Sequence, residues 1–216
     1  MLKKHYLLLL TITAVVPAIA SDADDAAARL DKAVAVFNHI TETGHGIPAA
    51  QLANADCIAV IPGFKKGAAV VGVGFGRGFI SCRNGGNWSA PGAIAFETGS
   101  LGVQLGGEEV DIVIVSLAKE KRAKLLSERF TIGSDASAAW GNGKTAHGDP
   151  NAQILFYGHT KGAFAGFGLD GATLKQDEST DKALYGKTES NGQIVAEEAT
   201  PGSAQAFVAK LDRTAK

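Results

Sequence analysis

Apolar residues recur every three or four positions in three segments of the chain, a spacing that predicts helices. The first runs from Ser21 to Thr43, with acidic residues in its first turn and Gly44 after its last. The second is the charged segment 119–130, KEKRAKLLSERF, and the third runs from Pro201 to Leu211. These patterns predict helices at the N-terminus, in the middle and at the C-terminus of the folded domain.

Between these segments the pattern changes to short apolar or alternating runs bounded by glycine and asparagine, which is typical of strands. The predicted strands are CIAVIP, GAAVVGVGF and GFISCR (one strand or two), AIAFET, LGVQLGG, DIVIVSL, QILFYGH, GAFAGFGL and GATLKQ. The order is one helix, many strands, one helix, more strands and a last helix. This order predicts an α+β fold rather than alternating βαβ units.

Between Val71 and Phe79 every second residue is glycine, so one face of this strand carries no side chains. Two interpretations stay open. The bare face lets a helix or a second strand approach closely, or it forms a groove where an acyl chain or head group meets backbone. Because glycine-lined strands bend sharply, we expect a strongly curved, largely antiparallel and barrel-like sheet.

The residues between these glycines carry large side chains. Val73, Phe75 and Phe79 are expected to contribute to the core on the opposite face of the strand. Arg77 interrupts this apolar row, so we expect it at a strand end in solvent or paired with an acid such as Glu97 or Asp111.

The first twenty residues, MLKKHYLLLLTITAVVPAIA, have the pattern of a secretory signal peptide. Two lysines precede an apolar run of about ten residues, and a membrane span needs ~20. Cleavage is predicted after Ala20, at an A-x-A site, which leaves residues 21–216 as a single domain. The pattern predicts a bacterial protein of the periplasm or a secreted one.

Composition and charge narrow the classes of partner. Of 216 residues, 27 are glycine, about one in eight against a usual ~7%, with no collagen repeat. The predicted signal peptide holds two lysines and no acid, so its removal changes the net charge from −1 to −3. Nucleic-acid-binding proteins usually have a basic excess, so no nucleic-acid partner is expected. Any anionic partner has to meet a local basic cluster.

Two cysteines, Cys57 and Cys82, are the only ones in the chain. In an oxidising compartment they can form a disulfide that closes a loop of about 25 residues. The alternative is a pair of buried thiols that act as small apolar side chains.

Two glycine-rich motifs resemble nucleotide-binding loops. Residues 138–145 end in Gly-Lys-Thr, and residues 166–171 fit G-x-G-x-x-G. Both motifs need a helix directly after the loop, and neither following sequence, AHGDP or ATLKQDEST, predicts one. No histidine pair has metal-ligand spacing, and no G-x-S-x-G is present. We therefore expect no nucleotide, no cofactor, no metal and no enzymatic activity.

Several motifs in a fixed order carry a resemblance to a known family. They are Ile61-Pro62 before the glycine-rich strand, the W-S-A-P turn at 88–91, G-V-Q-L-G at 102–106, D-I-V-I at 111–114, K-G-A-F-A-G-F-G-L-D-G at 161–171 and Tyr185-Gly186. In this the chain resembles the SYLF domain family of lipid-binding proteins, over nearly the whole predicted mature chain. Its G-N-G-K at 141–144 replaces a G-P-x-G-R turn that is common in the family.

The resemblance implies a non-enzymatic protein of the bacterial cell envelope that binds phospholipid or a membrane surface. Eukaryotic members of the family carry a basic amphipathic N-terminal helix, whereas the helix predicted here begins with Asp22, Asp24 and Asp25. Actin, a partner of eukaryotic members, is not expected for an exported bacterial protein. Two alternatives stay open: an envelope protein–protein interaction module without a lipid ligand, and an enzyme whose site combines distant residues.

Four cations are the candidate residues for binding lipid or an anion: Lys65, Lys66, Arg77 and Lys161. Lys66 and Lys161 each begin a Lys-Gly-Ala sequence before a glycine-rich segment. If these two predicted strands are neighbours, their lysines lie at similar heights on the sheet. The alternative is that they are ordinary solvated lysines.

Overall fold

A computed structural model of the chain describes residues 21–42, 46–67, 71–101, 108–133, 138–141, 146–148, 152–160 and 171–215. The helices are α1 (Asp22–Glu42), α2 (Ala49–Ala53), α3 (Arg122–Leu125), α4 (Glu178–Tyr185), α5 (Asn191–Glu197) and α6 (Gln205–Thr214). The strands are β1 (Cys57–Gly67), β2 (Val71–Asn84), β3 (Asn87–Trp88), β4 (Gly92–Leu101), β5 (Glu108–Ser116), β6 (Arg129–Thr131), β7 (Ala138–Gly141), β8 (Ala146–Gly148), β9 (Ile154–Thr160) and β10 (Thr173–Gln176).

The strands form one curled sheet in the order β6-β10-β4-β2-β1-β5-β9-β7-β8, and β3 pairs with the end of β2. Only the β7–β9 pair is parallel among the described strands. The sheet is a half-barrel with helices packed against it. This confirms the predicted α+β fold with a strongly curved, largely antiparallel sheet.

The helices at the two ends of the chain are confirmed, and the middle helix is much shorter than predicted. A 3₁₀ turn at Lys119–Lys121 leads into α3, which has four residues. Phe130, the last residue of that predicted helix, lies on β6 instead, where it pairs with Leu174 of β10. None of the helices among the described residues has the length and apolarity needed to span a membrane.

Two helices, α4 and α5, were not predicted. Each begins at a side-chain cap that satisfies a free backbone N–H of the first turn. Asp177 accepts from the Thr180 N–H before α4, and Ser190 forms a capping box with Gln193 before α5. Both helices are short, with seven or eight residues, and neither has a long apolar period that marks a helix in sequence.

The sheet separates two apolar clusters. On one face, Phe79 packs against α1 and α6, with its ring centroid 6.4 Å from that of Phe207. On the other face, Phe96 lies between Phe64 and Phe156, at centroid distances of 5.5 and 5.8 Å. Both sets of rings are buried, so the curled sheet is covered along much of each face.

The bare face of β2 accommodates its neighbour β1. A Cβ atom at Gly76 would lie 2.6 Å from Ile61 Cγ2, and one at Gly78 would lie 2.8 Å from Ile61 Cα and overlap the Val60 carbonyl oxygen. At Gly74 a Cβ atom would overlap the Phe64 ring. The structure therefore supports the close-approach interpretation of the glycine row, with the second strand rather than a helix as the neighbour.

The curvature of β1 comes from a bulge. The pairing of β1 with β5 shifts between Ile61 and Phe64, and Gly63 has φ = +58°, a conformation that favours glycine. The Gly63 N–H donates to Asp111 Oδ1 at 2.8 Å. The bulge turns the Phe64 ring over Gly74 and Gly76, which explains why β2 needs glycine there.

The two cysteines form a disulfide. Cys57 and Cys82 lie directly opposite each other on β1 and β2, with Cα atoms 4.0 Å apart. The bond therefore joins the two central strands of the sheet at the end away from the bulge, and it decides between the two interpretations of the cysteine pair.

Two of the family motifs have structural roles. The Trp88 indole N–H donates to the Ala215 carbonyl oxygen at 3.3 Å, which anchors the end of α6 on β3. The Tyr185 hydroxyl donates to the Pro91 carbonyl oxygen at 2.6 Å, and Gly186 ends α4 with φ = +73°. These residues hold helices on the sheet, so the motifs that identify the family do not by themselves mark a binding site.

Candidate functional site

Phe75 is the one exposed large hydrophobic residue among those whose burial the structure describes, with 48% of its surface accessible. It lies on the same face of β2 as Phe79, but α1 and α6 cover only the Phe79 end. The expectation that Phe75 contributes to the core is therefore wrong. Single exposed apolar side chains are common on protein surfaces and do not by themselves indicate a function. The residues around Phe75 make this one a candidate site.

Four cations lie on the same face of the sheet as the exposed ring. Lys65 lies opposite Phe75 on β1, and cross-strand partners share a face. The Arg77 guanidinium lies 5.9 Å from the centroid of the Phe75 ring. Lys175 on β10 and Arg129 on β6 continue this row across β4. We call these residues, Lys65, Phe75, Arg77, Arg129 and Lys175, the Phe75 face.

Arg77 is fixed by an ion pair that joins the sheet to a helix. Its Nε lies 3.3 Å from Asp177 Oδ2, the carboxylate that caps α4. The expected partners, Glu97 and Asp111, are therefore wrong: Glu97 contacts Lys175, and Asp111 accepts the bulge amide. Burial acts to raise the pKa of Asp177, but hydrogen bonds from Thr180 and Ser179 and the charge of Arg77 outweigh it, so the pKa lies below its usual value.

A second ion pair crosses the same face. Lys175 Nζ lies 2.5 Å from Glu97 Oε2, and both side chains are about one third exposed. Neither Lys65 nor Arg129 has an ion-pair partner among the residues that the structure describes. The Phe75 face therefore carries four cations against three acids: Glu97 and Asp177 pair with two of the cations, and Glu109 lies opposite Lys65 on β5. This leaves an excess of one positive charge on an acidic chain.

A depression of about 360 Å³ opens beside the Phe75 ring. Its lining residues come from β2, β4, β6 and β10 and the turn before β10. They are Gly74, Phe75, Glu97, Thr98, Gly99, Arg129, Gly171 and Thr173. The wall thus combines an aromatic ring, one cation, one carboxylate and two hydroxyls around bare backbone.

The structure brings together only part of the predicted site. Lys65 and Arg77 lie on the Phe75 face. Lys66 lies near the end of β1, with its backbone opposite Gly74, and does not begin a strand. Lys161 lies outside the described residues. The glycine-rich segment that follows Lys161 also lies outside them, so the pairing of the two Lys-Gly-Ala strands stays a prediction.

Phe75, Arg129 and Lys175 were not predicted to be site residues. Arg129 and Lys175 are 46 positions apart in sequence and meet only because β6 pairs with β10. The charged segment around Arg129 was interpreted as a helix, and Lys175 as an ordinary strand residue. Only Phe75 had a signal in the sequence. It lies two positions before Arg77, and a charged residue is not expected in a row of side chains that is fully buried.

A second depression, of about 460 Å³, lies at the other end of β2 beside Arg83 and Lys119. The Arg83 guanidinium stacks 4.5 Å from the centroid of Trp88, and it donates to the carbonyl oxygens of Ala55, Gly86 and Ala215. Its donors are committed to backbone, which makes it a structural arginine. Across the described residues, no group of three or more His, Cys, Asp or Glu side chains is placed to hold a metal ion.

Comparisons with known proteins match this chain to one family. Residues 97–214 match the model of Ysc84, described as a Las17-binding protein and actin regulator. The chain is similar to SH3 domain-containing YSC84-like protein 1 of Xenopus laevis, at 32% identity over 65% of this chain and 44% of that protein. It is also similar to Protein YSC84 of Saccharomyces cerevisiae, at 30% identity over 69% of this chain and 34% of that protein.

The match extends to SH3 domain-containing protein PJ696.02 of Schizosaccharomyces pombe, at 33% identity over 64% of this chain and 34% of that protein. The chain thus spans less than half the length of these curated relatives. Their names describe SH3-containing and YSC84-like proteins rather than enzymes. No solved structure matches the chain.

Proposed function

The chain belongs to the Ysc84 family, which is the SYLF domain family, and from this membership we propose that it binds phospholipid at an anionic membrane surface through the Phe75 face. The observation that carries the proposal is one exposed aromatic ring on a sheet face that also carries four cations, one of them 5.9 Å from the ring centroid. The binding is non-enzymatic, and the membrane belongs to the bacterial cell envelope, as the predicted signal peptide and export suggest.

The energetics of the Phe75 face suit a peripheral membrane protein. Full burial of a phenylalanine side chain contributes about 1.5–3 kcal/mol, so insertion of a half-exposed ring contributes about 1 kcal/mol. Each cation close to an anionic surface adds about 1 kcal/mol. Lys65 and Arg129, which have no described ion-pair partner, can make this contribution without breaking a contact inside the protein.

The overall charge makes the location of these cations informative. The predicted mature chain is acidic, so its net charge opposes its approach to a membrane of anionic lipid. Only a local positive surface can meet such a membrane closely, and the Phe75 face combines one with an exposed apolar side chain. This combination favours a membrane as the partner over a soluble anion, because a soluble anion would interact with the cations but not with the aromatic ring.

A protein partner is the second candidate function. The family description names a protein, Las17, as a partner of its members. An exposed aromatic with arginines beside it is also a composition that protein interfaces favour. In that case the same face binds a protein of the envelope, and lipid vesicles do not compete for it.

The charge change Lys65→Glu is expected to weaken binding to phosphatidylglycerol vesicles by at least about tenfold at low salt, since it replaces a cation near the surface by an anion. Lys119→Glu is the matched control, because the same change is placed at the opposite end of β2, beside Arg83. Cosedimentation over a salt series measures both variants together with the wild type. The difference is expected to shrink as salt screens the surface.

Equal binding of the two variants at every salt concentration would contradict a role for the Phe75 face. Absence of vesicle binding by the wild type would remove the lipid proposal and leave the protein-partner function as the remaining candidate.

A further inference from the structure

We propose that the depression beside Phe75 is a head-group subsite, which takes a phospholipid head that carries a phosphate and a primary ammonium, as phosphoethanolamine does. This inference rests on the proposed membrane binding and adds selectivity to it. The cations of the Phe75 face respond to any anionic surface, whereas the depression responds to the chemistry of a single head group.

Two glycines keep the depression open. A Cβ atom added at Gly99 or at Gly171 would meet no atom of the described residues within 4 Å, in contrast to the crowded glycines of β2. These two glycines therefore do not serve close packing with a neighbour. Gly171 has φ = +78°, which explains glycine at that position, but Gly99 has an ordinary strand conformation that any residue can adopt. What glycine provides at 99 is the empty volume above the strand.

The charges in the wall are complementary to a zwitterion. Arg129 has no ion pair with a described residue, and its guanidinium is suited to a phosphate. Glu97 contributes a carboxylate to the same depression, where Lys175 contacts its Oε2. A purely anionic head would place negative charge beside Glu97. A head group with both a phosphate and a hydrogen-bond-donating cation can place the phosphate beside Arg129 and the cation beside Glu97.

The requirement for N–H donors separates two common head groups of equal charge. A primary ammonium has three N–H donors, and it can form a charge-assisted hydrogen bond with Glu97. The trimethylated ammonium of phosphocholine has none, and its methyl groups keep its charge farther from the carboxylate. The depression therefore predicts a preference for phosphatidylethanolamine over phosphatidylcholine.

The position of Phe75 fits this arrangement. The ring forms part of the same wall, so a head group in the depression lies beside the ring that enters the bilayer. One phospholipid molecule then contacts Arg129 and Glu97 with its head, while the lipids around it receive Phe75. The two parts of the interaction are adjacent but separable by mutation.

The test uses vesicles with a fixed fraction of phosphatidylglycerol, in which the remaining lipid is either phosphatidylethanolamine or phosphatidylcholine. The wild-type protein is expected to bind the phosphatidylethanolamine vesicles about tenfold more tightly, the effect of about one net charge-assisted hydrogen bond. Gly99→Val fills the depression without a steric conflict and is expected to abolish this preference. Its binding to the phosphatidylcholine vesicles, and its thermal stability, are expected to match those of the wild type.

Glu97→Gln separates the two walls of the subsite. It preserves the size of the side chain and is expected to reduce the preference for phosphatidylethanolamine, because the carboxylate is lost. Arg129→Gln is expected to weaken binding to both kinds of vesicle, because both heads carry a phosphate. A preference that survives in Gly99→Val would be a property of the bilayer and not of the depression, and it would overturn the inference.

Equal binding of the wild type to the two kinds of vesicle would also overturn the inference and would leave the proposed membrane function intact. If the protein binds no vesicles, a titration with glycerophosphoethanolamine and glycerophosphocholine, followed by the amide NMR signals of Gly99 and Arg129, gives a separate answer. A response to the first compound alone would support head-group recognition without membrane docking, and no response to either would reject it.

Discussion

Gly78→Val is expected to lower the free energy of unfolding by about 3 kcal/mol or more, the upper range for overpacking a core. A Cβ atom at this position overlaps the Val60 carbonyl oxygen and lies 2.8 Å from Ile61 Cα. Both are backbone atoms of the neighbouring strand, so no side-chain rotation relieves the contact. The two strands have to separate at this point, and equilibrium denaturation by urea measures the loss of stability.

Gly99→Val is the matched control for this prediction. It makes the same substitution on the adjacent strand β4, at a glycine with open space above it, and is expected to leave stability unchanged or to raise it slightly, since glycine is unfavourable in a strand. If both valine variants unfold at the wild-type urea concentration, the close approach of β1 to β2 does not explain the glycine row.

Loss of the disulfide is expected to have the second largest effect. The bond between Cys57 and Cys82 closes a loop of 25 residues, for which the chain-entropy model gives about 3 kcal/mol. The double variant Cys57→Ala/Cys82→Ala is therefore expected to unfold at a clearly lower urea concentration than the oxidised wild type. Both positions are buried on β1 and β2, so the change also weakens the joint between the central strands.

The reduced wild type separates the bond from the side chains. With both thiols free it keeps the buried sulfur atoms but lacks the constraint on the unfolded chain, so its stability is expected to lie between those of the oxidised wild type and the double alanine variant. Oxidised and reduced proteins of equal stability would contradict a stabilising disulfide.

The class of fold was predictable because it depends on local patterns. Apolar periodicity located α1 and most strands, and the glycine row of β2 indicated curvature before the neighbouring strand was known. The sequence left open what faced the glycines, because the answer depends on a bulge at Gly63 that brings Phe64 over β2. That contact forms between two strands, and no local pattern in β1 predicts which way the Phe64 ring turns.

The site was less predictable than the fold, for a related reason. Lys65 and Arg77 were identified because they lie beside the glycine-rich strand, but Arg129 and Lys175 join them only through the β6–β10–β4 pairing. Phe75 was assigned to the core because strand alternation predicts which face of β2 it lies on. Alternation does not predict how far the helices extend over that face. Arg77 was expected near an acid of the sheet, and its partner, Asp177, is instead the cap of an unpredicted helix.

The depth of residue 75 in a membrane tests the central claim most directly. Phe75→Trp preserves an aromatic ring on the Phe75 face. Asn87→Trp places the same reporter at the exposed start of β3, opposite the far end of β2 and about 30 Å along that strand. Wild-type emission is subtracted from both to remove the two native tryptophans. On phosphatidylglycerol vesicles with brominated acyl chains, the tryptophan at 75 is predicted to shift to shorter wavelength and to be quenched, while the one at 87 does neither. Vesicle-bound protein in which the tryptophan at 75 stays in water, unshifted and unquenched, would contradict the account.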